Sequence, residues 1–254
     1  MSNLPRKPIL LYAFIIVLLS ITVAGTGQAG EVQTILETAD SYRLSQGTMQ
    51  VETEIELYKS GKLDKTRRYS VYVKPGRRSL VIFKSAVEIG QKVLMLEDKF
   101  WILMPKSRRP IRITPMQKLL GEASTGDIAT MTWSGDYDGE VVGAEVVDGI
   151  PCSKLDLHSI RKSTTYARIE LYVAEDGHWP VRANLYVASG KLAKRAHFTL
   201  GESEGRKQVE TMTLIDEIQR QRKTVIRYLS RTPREIPDKF YNPMYLVKNK
   251  LQGW

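Results

Sequence analysis

The sequence has few of the residues that disulfide and metal chemistry require. Its 254 residues include one cysteine, Cys152, and three histidines. A single cysteine cannot form an internal disulfide, so the stability of the fold has to come from its core. The histidines lie on separate predicted strands or turns, without the spacing that zinc ligands show. The sequence therefore predicts neither a metal site nor a cofactor.

Catalytic and nucleotide-binding motifs are missing as well. No glycine-rich phosphate loop or dinucleotide fingerprint follows a predicted strand, and no Gly-x-Ser-x-Gly string marks a hydrolase nucleophile. Ser124 and Asp127 precede an apolar turn and are better explained as a helix cap than as a nucleophile and an acid. The acidic turn from Asp136 to Glu140 lacks the ligand spacing of a calcium loop. The sequence thus predicts a protein that is not an enzyme.

The N-terminus carries a long apolar run. It extends from Ile9 to Val23, follows Arg6 and Lys7, and is followed by the small residues around Ala29. This order is typical of a secretory signal peptide, which here comprises residues 1–29. An uncleaved anchor is the alternative, because the run is about as long as the shortest segments that span a bilayer. Cleavage predicts a soluble exported protein with one domain, residues 30–254.

The formal net charge of +10 at pH 7 indicates an affinity for anionic partners. Export makes nucleic acid an unsuitable partner, so none is expected. Anionic lipid head groups are the partners available outside the cytoplasm. A basic surface that serves only solubility is the alternative.

The dominant hydrophobic period along the chain is two. Between Met49 and Tyr58, apolar residues alternate with Gln50 and three glutamates, which predicts a half-buried strand. Eleven more runs of this kind follow, most of them joined by short turns containing Gly, Asp or Pro, so neighbouring strands should pair as antiparallel hairpins. A meander of ten or more strands curls as its twist accumulates. We therefore predict a mainly β (α+β) fold, a curled antiparallel half-barrel with a short helical lid.

Three helical segments are predicted to fill the concave side of this sheet. The first comprises Val32 to Arg43, the second Pro115 to Ala123, and the third is a turn from Gly126 to Met131 capped by Ser124 or Thr125. A C-terminal segment from Ile236 to Leu246 is rich in aromatic residues. It should dock on the sheet.

The insertion between Phe100 and Asp138 interrupts the strand pattern. Its Met and Trp side chains predict an apolar cover over the sheet, suited to a flexible apolar ligand because Met packs adaptably. Ordinary core packing is the alternative for each residue. The predicted lining of the cavity and lid consists of Trp101, Met104, Met116, Leu119, Leu120, Met131 and Trp133.

Several strings in the chain resemble the LolA-like outer-membrane lipoprotein-sorting proteins, and in particular their less-characterised branch. The strings are residues 90–96, 100–101, 103–105, 109–117, 120–128, 135–137 and 189–191. The resemblance implies a periplasmic carrier with a cavity between sheet and lid. We expect this carrier to be a monomer. It also implies that the cavity receives the acyl chains of a lipoprotein or lipid, and that an inner-membrane transporter supplies this cargo.

Two further expectations concern how such a carrier would work. The segment from Pro115 to Met131 would open as a lid, and a basic run would dock on lipid head groups or on an acidic transporter surface. A solvated loop is the alternative for that run, which consists of Lys106, Arg108, Arg109 and Arg112. An accessory subunit that binds a transporter and carries no free ligand is the alternative function.

Overall fold

The structure, a computed structural model, describes residues 25–44, 47–129, 132–203, 205–216 and 221–249. Its main element is an antiparallel sheet of thirteen strands that does not close into a barrel. Every alternating run predicted as a strand is a strand. The strands are β1 (Met49–Lys59), β2 (Lys62–Lys74), β3 (Arg78–Phe83), β4 (Lys92–Leu96), β5 (Lys99–Leu103), β6 (Ile111–Ile113), β7 (Lys118–Leu120), β8 (Ala123–Ser124), β9 (Tyr137–Val147), β10 (Ile150–Ser159), β11 (Arg168–Ala174), β12 (Pro180–Tyr186), β13 (Leu192–Ser203), β14 (Arg206–Ile215) and β15 (Arg222–Pro233).

The sheet consists of two meanders rather than the single one predicted. Its order is β6-β5-β4-β3-β2-β1-β15-β14-β13-β12-β11-β10-β9, so the first strand pairs with the last. The sequence pattern detects strands but not this long-range pairing of β1 with β15. The segment between β6 and β9 therefore connects the two edges of the sheet.

Helix α1 (Gly25–Arg43) fills the curl of the sheet. Its side chains Val32, Leu36 and Ala39 are buried in the same cluster as inward-facing residues of β1 such as Ile55. Alternate positions of β1 are buried, as the period of two predicted. The predicted helix up to Arg43 is confirmed, and it begins earlier than Val32.

The predicted helix from Pro115 to Ala123 is wrong. Strands β7 and β8 form a small two-stranded sheet there instead. Gly121 has a positive φ of 56°, and the backbone N–H of Glu122 donates to the hydroxyl of Thr224 on β15. This contact with the main sheet overrides the local helix preference of the segment.

A short helix, α2 (Thr125–Ile128), follows β8, as the capping residues predicted. Ser124 and Asp127 form a reciprocal capping box at its N-terminus. A second short helix, α3 (Trp133–Asp136), leads into β9. Thr130 and Met131, at the end of the third predicted helical segment, lie outside the described residues.

Replacing Gly121 by alanine should lower the free energy of unfolding by about 1–3 kcal/mol. The new Cβ would overlap with the hydroxyl of Thr224 and lie 2.8 Å from Cδ1 of Leu57, in a backbone conformation that disfavours side chains. Gly143→Ala is the matched control, because nothing lies within 4 Å of a Cβ there. Urea denaturation should show a lower midpoint for Gly121→Ala only. Equal urea midpoints for Gly121→Ala and the wild type would contradict the close approach of this turn to the sheet.

The C-terminal segment docks on the other face of the sheet, as predicted. Ile236, Phe240 and Leu246 are buried against Leu80 and Leu94. A 3₁₀ turn (Asp238–Tyr241) and helix α4 (Pro243–Lys248) supply these contacts. The sheet therefore has a separate apolar cluster on each face.

Candidate functional site

A cavity of about 350 Å³ opens at the C-terminal end of α1. Met49 and Val51 of β1, Val73 of β2 and Met95 of β4 form apolar parts of its wall. Tyr228 of β15 also lines it. The inward-facing side of the sheet supplies these residues because alternate positions of each strand face α1. The cavity is therefore a gap in the main core, at the point where α1 ends.

The mouth of this cavity is basic. Its lining includes Arg43 at the end of α1, Lys74 at the end of β2, Arg77 in the turn between β2 and β3, and Arg78 at the start of β3. The side chains of Lys74 and Arg78 pair with Asp238 of the C-terminal segment, so Arg43 and Arg77 supply the charge on the cavity side of the sheet. No acidic residue is among the described residues that line it. The combination of an apolar interior and a cationic rim suits an amphiphile whose head group is negatively charged.

An ion-pair cluster stands beside the mouth and joins distant parts of the sheet. The guanidinium of Arg77 pairs with the fully buried carboxylate of Asp136 in α3, and also with Asp98, 3.3 Å away. Arg161 reaches the same Asp136 at 3.2 Å. Burial raises the pKa of Asp136, whereas the two arginines act to lower it. The cluster connects the β2–β3 turn with α3 and with the loop after β10.

Arg43 is held by two contacts at the end of α1. Its guanidinium lies 3.2 Å from the carboxylate of Asp40 and 3.8 Å from the ring centroid of Trp133. The same carboxylate accepts hydrogen bonds from the backbone N–H groups of Trp133 and Ser134, at 3.1 and 2.9 Å. Burial raises the pKa of Asp40, against the lowering effect of Arg43. Asp40 therefore fixes α3 on α1.

A smaller cavity of about 40 Å³ lies on the other side of Arg43. Trp133, Phe198 and Met212 line it together with Arg43. The rings of Trp133 and Phe198 meet edge to face, with centroids 5.7 Å apart. Arg43 and the segment Thr132–Trp133 thus stand between the two cavities.

The cover segment is anchored to the sheet by a buried ion pair. The ammonium of Lys194 on β13 lies 2.7 Å from the carboxylate of Asp127, and both side chains are only 4% exposed. Lys194 also donates to the carbonyl of Glu122, while the hydroxyl of Tyr166 donates to Asp127 at 2.7 Å. Burial acts to raise the pKa of Asp127, but Lys194 and the hydrogen bonds hold it below 3.8. Opening of the predicted lid would have to break this network.

The predicted lining residues lie in different places. Leu119 and Leu120 pack into the main core from β7, and Trp133 lines the smaller cavity. Met104 and Met116 are exposed. Trp101 packs on the opposite face of the sheet with the C-terminal cluster, and Met131 lies outside the described residues. The structure thus does not bring the six described residues of this set together.

The predicted docking residues are at the surface. Lys106, Arg108 and Arg109 are exposed on the loop between β5 and β6, and Arg112 is exposed on β6. The guanidinium of Arg112 lies 4.6 Å from the ring centroid of Trp101. Within the described ranges, no helix is both long and apolar enough to cross a membrane.

Sequence reasoning missed the basic residues of the cavity mouth. Arg77 and Arg78 follow Pro75 and Gly76, which signal a turn but no site. Arg43 was predicted only as the end of a helix. These residues lie near one another only because the sheet curls around α1, and no local sequence pattern shows this.

The fold and cavity define a class of protein: an open antiparallel sheet curled around one helix, with an apolar cavity at the end of that helix. A LolA superfamily protein from Nitrosomonas europaea has a solved structure with a TM-score of 0.77 and 30% sequence identity. The match covers 86% of this chain and 99% of that one. The chain belongs to the LolA superfamily.

Two further solved structures share the fold at lower identity. A DUF1329 family protein from Desulfovibrio piger matches with a TM-score of 0.71 and 23% identity, over 86% of this chain and 99% of that one. A domain described as an outer membrane lipoprotein-sorting protein, from Vibrio parahaemolyticus, matches with a TM-score of 0.69 and 16% identity over the same shares, 86% and 99%. A family model described as an uncharacterized protein matches residues 75–248. A search of curated proteins finds no match.

Proposed function

We propose that this protein is a periplasmic carrier that shields an acyl chain of a lipid or lipoprotein in the cavity at the end of α1. The observation that carries the proposal is the apolar cavity of about 350 Å³ within a LolA superfamily fold. Binding and release suffice for this role, so it requires neither catalysis nor a cofactor. An inner-membrane transporter would load the carrier. The exposed loop with Lys106, Arg108 and Arg109, together with Arg112, is the proposed docking surface.

The physical need for such a carrier follows from the cost of exposing an acyl chain to water. A chain of about fifteen methylenes costs roughly 12 kcal/mol to expose, at about 0.8 kcal/mol for each CH₂. A protein cavity offsets this cost during transfer through an aqueous compartment. Met49 and Met95 suit such a wall because methionine adapts its shape to mobile chains.

Filling the cavity should weaken cargo binding. In Met95→Trp, the larger side chain would occupy the space that Met95 borders, at a cost in stability of about 1–3 kcal/mol. We expect the affinity for a fluorescent fatty acid to fall by at least about tenfold, since burial of two or more methylenes would be lost. A fluorescence titration of the purified protein measures it.

Met244→Trp is the matched control, because Met244 is 46% exposed on α4. It should bind the probe like the wild type. Normal binding by a folded Met95→Trp variant would place the ligand elsewhere. If the wild type binds no lipid probe, and organic extracts of the gently purified protein contain none, the adaptor function replaces the carrier function.

The mature chain should begin at Gly30 and fractionate as a soluble periplasmic protein, with residues 30–254 as its one domain. The small residues around Ala29 motivate this expectation. N-terminal sequencing of the exported protein measures the cleavage site. A membrane-bound form that retains Met1 would contradict it.

A further inference from the structure

We propose that two neighbouring loops at one end of the sheet dock the protein on an anionic phospholipid bilayer. These docking loops are residues 84–91, between β3 and β4, and residues 104–110, between β5 and β6. The inference rests on the part of the proposed function that makes the second loop a docking surface. It adds the first loop to that surface and assigns it a lipid partner.

The docking loops lie side by side because β3, β4 and β5 are neighbours in the sheet. Lys92 at the start of β4 pairs with Ile82 of β3 and with Leu103 at the end of β5, so both loops leave the sheet at the same end. A Cβ on Gly90 would lie 3.1 Å from Cγ of Pro105, which shows that the two loops are in contact. They therefore form one surface.

The first docking loop holds two apolar side chains out in water. Val87 is 70% exposed and Ile89 is 62% exposed, and in the part of the chain that the structure describes no other large apolar side chain is as exposed as Val87. Hydrogen bonds fix the turn that carries them: the N–H of Glu88 donates to the carbonyl of Ser85, and the N–H of Gln91 donates to the carbonyl of Glu88. A single exposed apolar residue is ordinary, but two on one fixed turn form a small apolar tip.

The docking loops are also basic. They contain one acidic residue, Glu88, and four basic residues, which are Lys84, Lys106, Arg108 and Arg109. The carboxylate of Glu88 lies 3.2 Å from the guanidinium of Arg67 on β2, and these side chains are only 22% and 21% exposed. No carboxylate among the described residues pairs with Lys106, Arg108 or Arg109, and all three are exposed. Three cations are thus available to an anionic surface.

An apolar tip beside unpaired cations fits a bilayer better than it fits an acidic protein surface. Attachment to a membrane surface grows with the apolar area that is buried and with the attraction to anionic lipids. A bilayer accepts apolar side chains of any shape, whereas a protein would need pockets that match Val87 and Ile89. Two apolar side chains and three charges form a reversible attachment, which a carrier requires in order to leave the membrane again.

The docking loops and the mouth of the cavity lie at opposite ends of β3. Arg78 begins this strand beside the mouth, and Phe83 ends it next to the first docking loop. The loops can therefore contact a bilayer without closing the mouth. Variants of the loops should leave the binding of a fluorescent fatty acid in solution unchanged.

Sedimentation of the purified protein with lipid vesicles tests the partner. We expect vesicles of phosphatidylcholine and phosphatidylglycerol to bind the protein at least about tenfold more tightly than vesicles of phosphatidylcholine alone, since each basic residue near an anionic surface contributes about fivefold. Binding should weaken as the salt concentration rises, because salt screens exposed charges.

Charge variants assign the basic part of the surface. Arg108→Gln/Arg109→Gln should weaken binding to the anionic vesicles by about tenfold or more. The matched control is Arg206→Gln/Lys207→Gln, which removes two exposed charges at the start of β14. It should bind these vesicles like the wild type. Circular dichroism checks that each variant is folded.

Apolar variants assign the tip. Val87→Ser/Ile89→Ser keeps every charge and should weaken binding to the anionic vesicles by about tenfold, because less apolar area is buried in the bilayer. The matched control is Val142→Ser/Val146→Ser on β9, the opposite edge of the sheet, where the two valines are 47% and 67% exposed. It should keep the wild-type affinity.

The outcomes separate this inference from the carrier function. Equal binding to both kinds of vesicle, or loop variants that bind like the wild type, would overturn the bilayer as the partner. Absence of binding to either vesicle would also overturn it and would leave an acidic protein surface as the partner of the second loop. The fatty-acid titration in solution is independent of these results, so its failure would refute the carrier function and not the docking loops.

Discussion

Replacing Lys194 by methionine is expected to lower the free energy of unfolding by about 3–5 kcal/mol at neutral pH. The ammonium of Lys194 lies 2.7 Å from the carboxylate of Asp127, and each side chain is 4% exposed. Methionine leaves this carboxylate buried without its cationic partner. Urea denaturation followed by circular dichroism measures the loss.

The deficit of this variant should shrink as the pH falls. In the wild type the pKa of Asp127 lies below 3.8, so its stabilising contribution is present above that pH and is lost only in stronger acid. Without Lys194, burial raises the pKa of Asp127 above 3.8, so the folded variant retains a proton that the unfolded chain has lost. The difference in unfolding free energy between Lys194→Met and the wild type is therefore smaller in mild acid than at neutral pH.

Two controls make this prediction specific. Lys154→Met removes a more exposed lysine, 3.7 Å from Glu170 on the neighbouring strand, and should cost less than about 1 kcal/mol. Lys194→Met combined with Asp127→Asn removes both charges and should recover part of the loss. If Lys194→Met alone is as stable as the wild type at neutral pH, the pair of Lys194 with Asp127 does not anchor the cover segment.

Replacing Trp133 by alanine is expected to cost about 3–5 kcal/mol, the range for large buried aromatic residues. Trp133 is 5% exposed and packs edge to face on Phe198. The guanidinium of Arg43 stacks over its ring in a cation–π contact. Its removal should also join the two cavities on either side of Arg43. We therefore expect the variant to bind acyl chains longer than those that fit the wild type, measured by competition with fatty acids of increasing length.

Trp179→Ala provides the comparison for Trp133. Trp179 is only partly buried, beside a small cluster that includes Val181. Its loss should cost less and should leave the preferred chain length unchanged. The role of Trp133 between the cavities would be refuted if both variants kept the wild-type length preference.

The strands and the first helix could be predicted because their signals are local. In β1 the alternation of apolar and polar residues follows directly from one buried and one exposed face. Ser124 and Asp127 predicted a helix start because the capping box depends on residues three positions apart. The number of strands in the meander predicted the curled sheet, because twist accumulates along it, and the solved structure from Nitrosomonas europaea shares this fold.

The cavity could not be located from the sequence because its parts meet only through the curl of the sheet. Arg77 and Asp136 are far apart in the chain, and no local pattern pairs them. Aromatic and Met content directed the prediction to the insertion, where Trp101 in fact faces the opposite side of the sheet. The segment around Gly121 has helix-forming neighbours, but its contact with Thr224 on β15 makes it a turn between two strands.

Photo-crosslinking of a fatty acid that carries a diazirine on its chain tests the cavity most directly. We expect the label on peptides that contain Met49, Val73 or Met95. Unlabelled laurate should compete with the probe and reduce this labelling. Labelling should disappear in Met95→Trp and persist in Met244→Trp. Two results would contradict the binding of an acyl chain at the end of α1. In the first, the label is confined to exposed surface residues. In the second, the cavity peptides are labelled equally in the wild type and in Met95→Trp.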